Sequence, residues 1–136
     1  MKVLFLDVDG VLNHSRCPEW NNGDWRVLDQ VCVHRVRRIC EETGAKIVLS
    51  STWRLDEEGV ALLVEQFGDL IISKTPAKFS WRPRWQEIKE WLEDNGPVEV
   101  ACVIDDDPDA ELHGVTFVRT SFEMGGLNRH AEKRVL

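Results

Sequence analysis

The sequence predicts an α/β domain, with a central parallel five-stranded sheet and helices on both faces. Three observations predict it. Short continuous apolar runs, the mark of strands buried on both sides, alternate with segments of helical periodicity. The alternation runs along the chain without repeats, low-complexity segments or a linker, and it implies right-handed crossovers. The 136 residues, 43% of them hydrophobic, suffice for one compact core and not for two ordinary domains, so residues 1–136 read as a single domain.

Each element has its own signal. Val3 to Leu6 is an apolar run of strand length, followed at residues 12–25 by "LNHSRCPEWNNGDW", polar and turn-rich, which reads as a loop or small flap. Helical spacing then puts Leu28, Cys32, Val36, Ile39 and Cys40 on one face, with Gly44 as a stop. "AKIVLS" is the second strand. Asp56 caps a helix carrying Val60, Leu63, Val64 and Phe67, which Gly68 ends, and "LIIS" is the third strand. Pro83 suits the first turn of a helix whose apolar stripe is Trp85, Ile88 and Leu92 and whose end is marked by Asn95 and Gly96. "VEVACVID" gives the fourth strand, Pro108 opens a short helix, and "VTFV" is the fifth strand.

Composition removes several function classes. The N-terminus lacks the basic region, long apolar core and cleavage site of a signal peptide, and no stretch approaches the roughly 20 apolar residues a spanning helix needs. A net charge of -7 argues against a surface that envelops a polyanion, although it leaves room for local basic patches. The four cysteines form no CxxC pair, and Cys32, Cys40 and Cys102 sit in apolar runs, which fits a reducing, cytoplasmic setting. A zinc site from His14, Cys17, His34 and Cys40 has no familiar ligand spacing, and packing explains these residues more simply. "HRVRR" at 34–38 reads as the solvated outer face of the first helix.

In open α/β sheets ligands bind beyond the carboxyl ends of the strands, where the strand order reverses. Three predicted strands end there in polar residues: Asp7 and Asp9, then Ser50, Ser51 and Thr52, then Asp105, Asp106 and Asp107. So many carboxylates on one edge call for a cation, and an all-oxygen donor set suits Mg²⁺.

"DVDGV" after the first strand, "LSSTWR" closing the second and "VIDDDP" closing the fourth resemble the haloacid dehalogenase (HAD) superfamily of aspartate-nucleophile phosphatases. Within it the chain is most similar to the small HAD domains of Swiss-army-knife RNA repair proteins, on "IVLSSTWR", Thr75-Pro76, "RWQEIKEWL", "IDD" and Gly126-Leu127. It resembles the 3′-phosphatase half of polynucleotide kinase/phosphatase more distantly. The resemblance implies a three-layer Rossmann-like fold with little or no cap. It also implies a phosphomonoesterase in which Asp7 attacks phosphorus to form an aspartyl-phosphate and Asp9 protonates the leaving oxygen, then deprotonates water. That second role asks for a carboxyl partly protonated near neutral pH, which like-charged neighbours and a water-poor site favour. Mg²⁺ would be held by Asp7, the main-chain carbonyl of Asp9 and Asp106, with Asp105 behind it, while Asp107 caps the helix at Pro108 and Asp109 is a weaker ligand candidate.

Ser50, with Ser51 as the near alternative, would bind a phosphate oxygen, and Gly10 would keep backbone close to it. The charge-balancing cation is one of Lys78, Arg82 and Arg84, with Arg84 favoured because it precedes "EI" in the first turn of a helix. Neither interval that carries a cap in this superfamily is long enough for one here. An open site admits a phosphorylated small molecule or a nucleic-acid end, and Trp53, Arg54, Lys78, Trp81, Arg82, Arg84 and Trp85 fall in segments expected near its mouth. Fusion to, or complexes with, nucleic-acid repair activities would fit the resemblance. A catalytically silent module that binds a phosphorylated partner and a phosphotransferase are the competing readings.

Overall fold

Each of the five apolar runs forms a strand in the computed structural model, which describes residues 1–22, 26–77 and 82–136. The elements are β1 (Lys2–Leu6), α1 (Gln30–Thr43), β2 (Lys46–Leu49), α2 (Glu57–Phe67), β3 (Ile71–Lys74), α3 (Arg84–Asn95), β4 (Val100–Asp105), β5 (Thr116–Arg119) and α4 (Arg129–Val135). Short 3-10 turns cover Pro18–Asn22, Thr52–Leu55, Gly68–Leu70 and Pro108–Ala110. All pairings are parallel and the strand order is β3-β2-β1-β4-β5. From β1 the chain steps outward to β2 and β3, and α3 then carries it back to β4 on the other side. The order therefore reverses between β1 and β4.

Strand side chains alternate between two cores. Leu4, Leu6, Ile47, Leu49 and Ile104 meet Val36, Ile39, Leu63 and Ala131 of the helices on one face. Val3, Phe5, Val48 and Val103 meet Ile88 and Trp91 of α3 on the other. Full burial of such a side chain contributes about 1.5–3 kcal/mol, which orients each helix by its apolar stripe. The helix ends follow the local signals. Asp29 accepts from the Val31 N–H at the start of α1, Gly44 closes it in the left-handed conformation at φ 78°, and Asp56 accepts from the Gly59 N–H at the start of α2. Among the described residues no inserted domain stands over the carboxyl edge of the sheet, and no helix is long and apolar enough to cross a membrane.

Three local expectations need correction. Pro83 is the N-cap of α3 and not part of its first turn, so Arg84 is the first helical residue. In α3 the deep position belongs to Trp91, not to Trp85, which is half-buried: Trp91 packs edge-on against Phe5 with ring centroids 5.5 Å apart, and its Nε1–H donates to Ser73 Oγ at 2.8 Å. The burial of a large ring with its polar atom satisfied outweighs the stripe drawn from hydropathy alone. The "HRVRR" segment is more than a solvated face. Arg38 donates twice to Glu132 of α4 at 2.9 and 3.1 Å, Arg35 donates to the Leu127 carbonyl at 2.9 Å, and Arg37 donates to the Gln66 carbonyl of α2.

Those contacts explain α4, which no hydropathy pattern announces. Seven residues do not hold a helix by propensity. Here Asn128 caps the start by accepting the Ala131 N–H, and the buried Glu132 carboxylate is anchored by α1.

All four cysteines are free, and Cys17, Cys32 and Cys40 are buried. Burial pushes the thiols of Cys32, Cys40 and Cys102 up to about 11 and raises Cys17 as well. The thiolate is the reactive form, so the native protein at about pH 7.5 is expected to react slowly with an aromatic disulfide reagent, whereas the denatured chain releases chromophore from all four cysteines at once. Rapid native reaction at Cys32 or Cys40 would contradict this packing.

Candidate functional site

The register of the sheet assembles the site. Leu6 pairs with Leu49 on one side and Ile104 on the other, so Asp7, Ser50 and Asp105 stand abreast one residue beyond. Main-chain bonds lock this arrangement: the Asp7 N–H donates to Ile104 O at 3.1 Å and the Ser50 N–H to Leu6 O at 3.0 Å. Because Leu6, Leu49 and Ile104 face α1 and α2, alternation turns the next residue of each strand toward α3. There Arg84 places Nη1 2.7 Å from Asp105 Oδ2 and 3.3 Å from Asp7 Oδ2. Asp109 accepts the Arg84 N–H at 2.9 Å, a cap supplied by the neighbouring turn, and is thereby occupied.

The electrostatics follow from this crowding. Asp7, Asp105 and Asp106 offer carboxylate oxygens within 4.8 Å of one another. Burial, reinforced by the Asp105 charge and opposed by Arg84, holds the Asp7 carboxyl well above the usual carboxylate range. Asp106 is raised too, first by burial and then by Asp105. For Arg84 burial alone would lower the pKa, but the Asp7 and Asp105 carboxylates outweigh it and the guanidinium is held firmly protonated. Asp105 has both oxygens engaged, Oδ1 by the Asp107 N–H at 3.0 Å and Oδ2 by Arg84, whereas Asp106 is half exposed. An all-oxygen set of this kind, with more negative charge than one arginine offsets, fits a hard divalent cation. Asp107 caps the turn at Pro108 by accepting the Asp109 N–H.

The two serines differ. Ser51 Oγ accepts the Trp53 N–H at 3.1 Å and so caps the 3-10 turn after β2. Ser50 is 0% exposed, and its hydroxyl is a buried group with no hydrogen-bond partner among the described residues. Leaving such a group unpaired costs about 1–3 kcal/mol, so the hydroxyl beside Asp7 is a ready donor to a ligand oxygen.

Asp9 and Gly10 lie in the turn that follows. A Cβ at Gly10, where φ is +81°, would fall 2.2 Å from Asp106 Oδ2, so only glycine lets the turn and the carboxylate coexist. Asn13, fully buried, accepts the Gly10 N–H at 2.9 Å and donates to Asp9 Oδ1 at 3.0 Å and Val27 O at 2.9 Å. Trp53 Nε1–H reaches the same Asp9 oxygen at 3.3 Å. Thr120, at the end of β5, donates to Gly10 O at 2.7 Å. Asn13 and Thr120 are contributors that the motif reading misses. An amide three residues after a turn glycine is the only trace Asn13 leaves in the sequence.

Two residues expected at the mouth are engaged internally, although Arg54 lines a cavity beside Arg84. Trp53 is 1% exposed and offers no face for a base. Arg54 is 5% exposed, and its guanidinium is occupied by Thr75 O at 3.0 Å, Ser51 O at 2.7 Å and both Glu87 oxygens at 3.1 Å. Burial of that donor set needs internal acceptors, and the segment after β3 with α3 provides them. Arg82 is half-buried and pairs with Glu90 at 2.6 Å, while Lys78 and Trp81 lie outside the described residues. The cysteine and histidine quartet is not assembled either. His14 instead meets Asp29 at 2.5 Å, whose other oxygen caps α1, so this contact fastens the loop after β1 to that helix.

A family model described as the HAD domain in Swiss Army Knife RNA repair proteins matches residues 3–131. No curated protein and no solved structure matches the chain.

Because Arg54 and Glu87 form a buried pair, removal of one partner strands the other. Arg54→Met is expected to lower unfolding free energy by about 3–5 kcal/mol in urea titration. A variant with unchanged stability would contradict a structural role for this pair.

Proposed function

The chain belongs to this family of HAD domains, and on that premise we propose that it is a magnesium-dependent phosphomonoesterase working through an aspartyl-phosphate on a nucleotide or nucleic-acid end, 3′-phosphates included. The observation that carries the proposal is the buried Asp7 carboxyl between an unpaired Ser50 hydroxyl and the Arg84 guanidinium. A phosphoryl group needs a nucleophile, a hydrogen-bond donor and a fixed cation at one point, and these three residues offer them.

In the first half-reaction an Asp7 oxygen attacks phosphorus in line as the ester P–O bond breaks, and Asp9 gives its proton to the leaving oxygen. In the second, Asp9 takes a proton from water whose oxygen attacks the same phosphorus, releasing inorganic phosphate and restoring the Asp7 carboxylate. Asn13 and Trp53 both donate to Asp9 Oδ1, which supports Oδ2 as the oxygen that exchanges the proton with substrate and water. Arg84 offsets charge on Asp7 and on the phosphoryl oxygens, and Ser50 Oγ donates to one of them. Asp7, the Asp9 carbonyl and Asp106 would hold Mg²⁺, with Asp105 supporting them, and the ion supplies the positive charge that lets a phosphate dianion approach these carboxylates. The free cysteines suit a cytoplasmic setting.

The direct test is phosphate release from an aryl phosphate, mononucleotides and 3′- and 5′-phosphorylated oligonucleotides. Turnover in Mg²⁺ is expected to fall to background on chelation and in Asp7→Asn. Silence of the intact protein on every member would favour a phosphate-binding module. Asn13→Ala is expected to slow an alkyl or nucleoside ester about tenfold more than an activated aryl ester, because only the poorer leaving group depends on the positioned Asp9 proton. Equal losses on both esters would remove that role.

A further inference from the structure

Past Asp106 the carboxyl edge opens into a cavity of about 480 Å³ between the end of β5 and α4. Arg119, Phe122, Asn128, His130 and Arg134 line it together with Asp106, so the cavity shares a wall with the carboxylate cluster. The volume suits one nucleotide.

The charge on this flank is unlike that of the chain. The sequence carries -7 overall, yet α4 reads RHAEKRV, and its one acid, Glu132, is buried against Arg35 and Arg38. What α4 shows to solvent is therefore basic. Arg134 and His130 are exposed and have no side-chain partner among the described residues, and Arg119 is exposed with a single bond, from Nε to the Asp106 carbonyl at 3.3 Å. On the opposite flank the arginines are occupied, Arg54 by Glu87 and Arg82 by Glu90. Beside the exposed guanidinium groups of Arg119 and Arg134 sits Phe122, half-buried and supported by Trp20 at 5.9 Å between ring centroids.

We propose that this cavity binds the single-stranded nucleic-acid segment adjoining the phosphorylated end, with Arg119 and Arg134 on its phosphodiesters and a base against Phe122. Guanidinium groups match phosphate oxygens, and an aromatic face accepts any base, so the contact reads a strand and not a sequence. The proposal deepens the phosphatase reading by naming a polynucleotide, and not a free nucleotide, as substrate; it rests on that reading only for the end that Asp7 receives.

The test separates binding from chemistry. A fluorescent single-stranded oligonucleotide with a 3′-phosphate is titrated by anisotropy against the Asp7→Asn variant of the 136-residue chain in Mg²⁺ at several salt concentrations. Arg119→Ala and Arg134→Ala, each added to that background, are expected to weaken binding several-fold and to reduce the slope of log affinity against log salt by about 0.7 for each phosphate left without its arginine. Arg134→Glu is expected to weaken it further, and Lys89→Ala, on the exposed side of α3, to change neither quantity. The same oligonucleotide without its terminal phosphate is expected to keep most of its arginine dependence. Unchanged affinity and slope in both arginine variants would overturn the proposal, as would a phosphopeptide competing as well as the oligonucleotide. Arginine-dependent binding with no phosphate release by the intact protein would uphold this strand site while sinking the catalytic reading.

Discussion

The arrangement of this molecule depends on like charge brought together in a poorly hydrated place. Three carboxylates at the reversal point of a parallel sheet repel one another and resist desolvation, so the chain has to bring positive charge to them. Arg84 is what the protein itself supplies, and much of the surrounding structure serves to keep it there. Pro83 and Asp109 fix the start of α3, Trp91 and Ile88 press the helix onto the sheet, and the buried Arg54–Glu87 pair ties its first turns to the segment beyond β3. A residual negative charge remains for a cation to meet.

The second constraint is close approach of backbone. Segment 9–13 has to pass over the Asp106 carboxylate and under the strap that follows β5. Gly10 permits the first approach, and Gly126 the second, since a Cβ there would lie 2.8 Å from the Val11 carbonyl. Asn13 and Thr120 then hold the segment by its own peptide groups, and the Leu127 N–H donates to Val11 O at 2.8 Å. The same strap leads into α4, so the turn that carries Asp9 and the basic flank are parts of one packed unit. A site built this way has its groups oriented before a substrate arrives, which is where electrostatic stabilisation is most effective.

Under the proposed phosphatase reading, an open carboxyl edge leaves substrate choice to the two flanks of the site. They are chemically unequal. Toward β3 the arginines are turned inward and neutralised, while toward β5 they are left facing solvent beside a cavity. A net negative chain is thus compatible with a polyanionic substrate, because the contact needs only a few well-placed cations and the rest of the surface discourages nonspecific adsorption.

The alternating apolar runs were enough to specify five parallel strands, because buried strands need continuous hydrophobicity and helices need a 3.6-residue stripe, and both are local properties. Gly44 and Asp56 marked helix ends for the same reason, whereas the Asp29 cap of α1 emerged only in the structure. The motifs put Asp7, Ser50 and Asp106 at strand ends, which converge at one edge in any fold of this class, and left Arg84 as the favoured of three basic residues. The sequence could not decide the fate of long polar side chains. Trp53 and Arg54 follow a strand in the manner of surface residues, and only the acceptors brought by Asp9, Thr75 and Glu87, 21 to 44 residues away along the chain, draw them inside. In the same way α4 exists because Glu132 finds Arg38, 94 residues distant. Local periodicity carries the hydrophobic pattern, but the pairing of buried polar groups is a property of the assembled tertiary structure, because each donor is stable inside only where a partner from elsewhere in the chain is already in place.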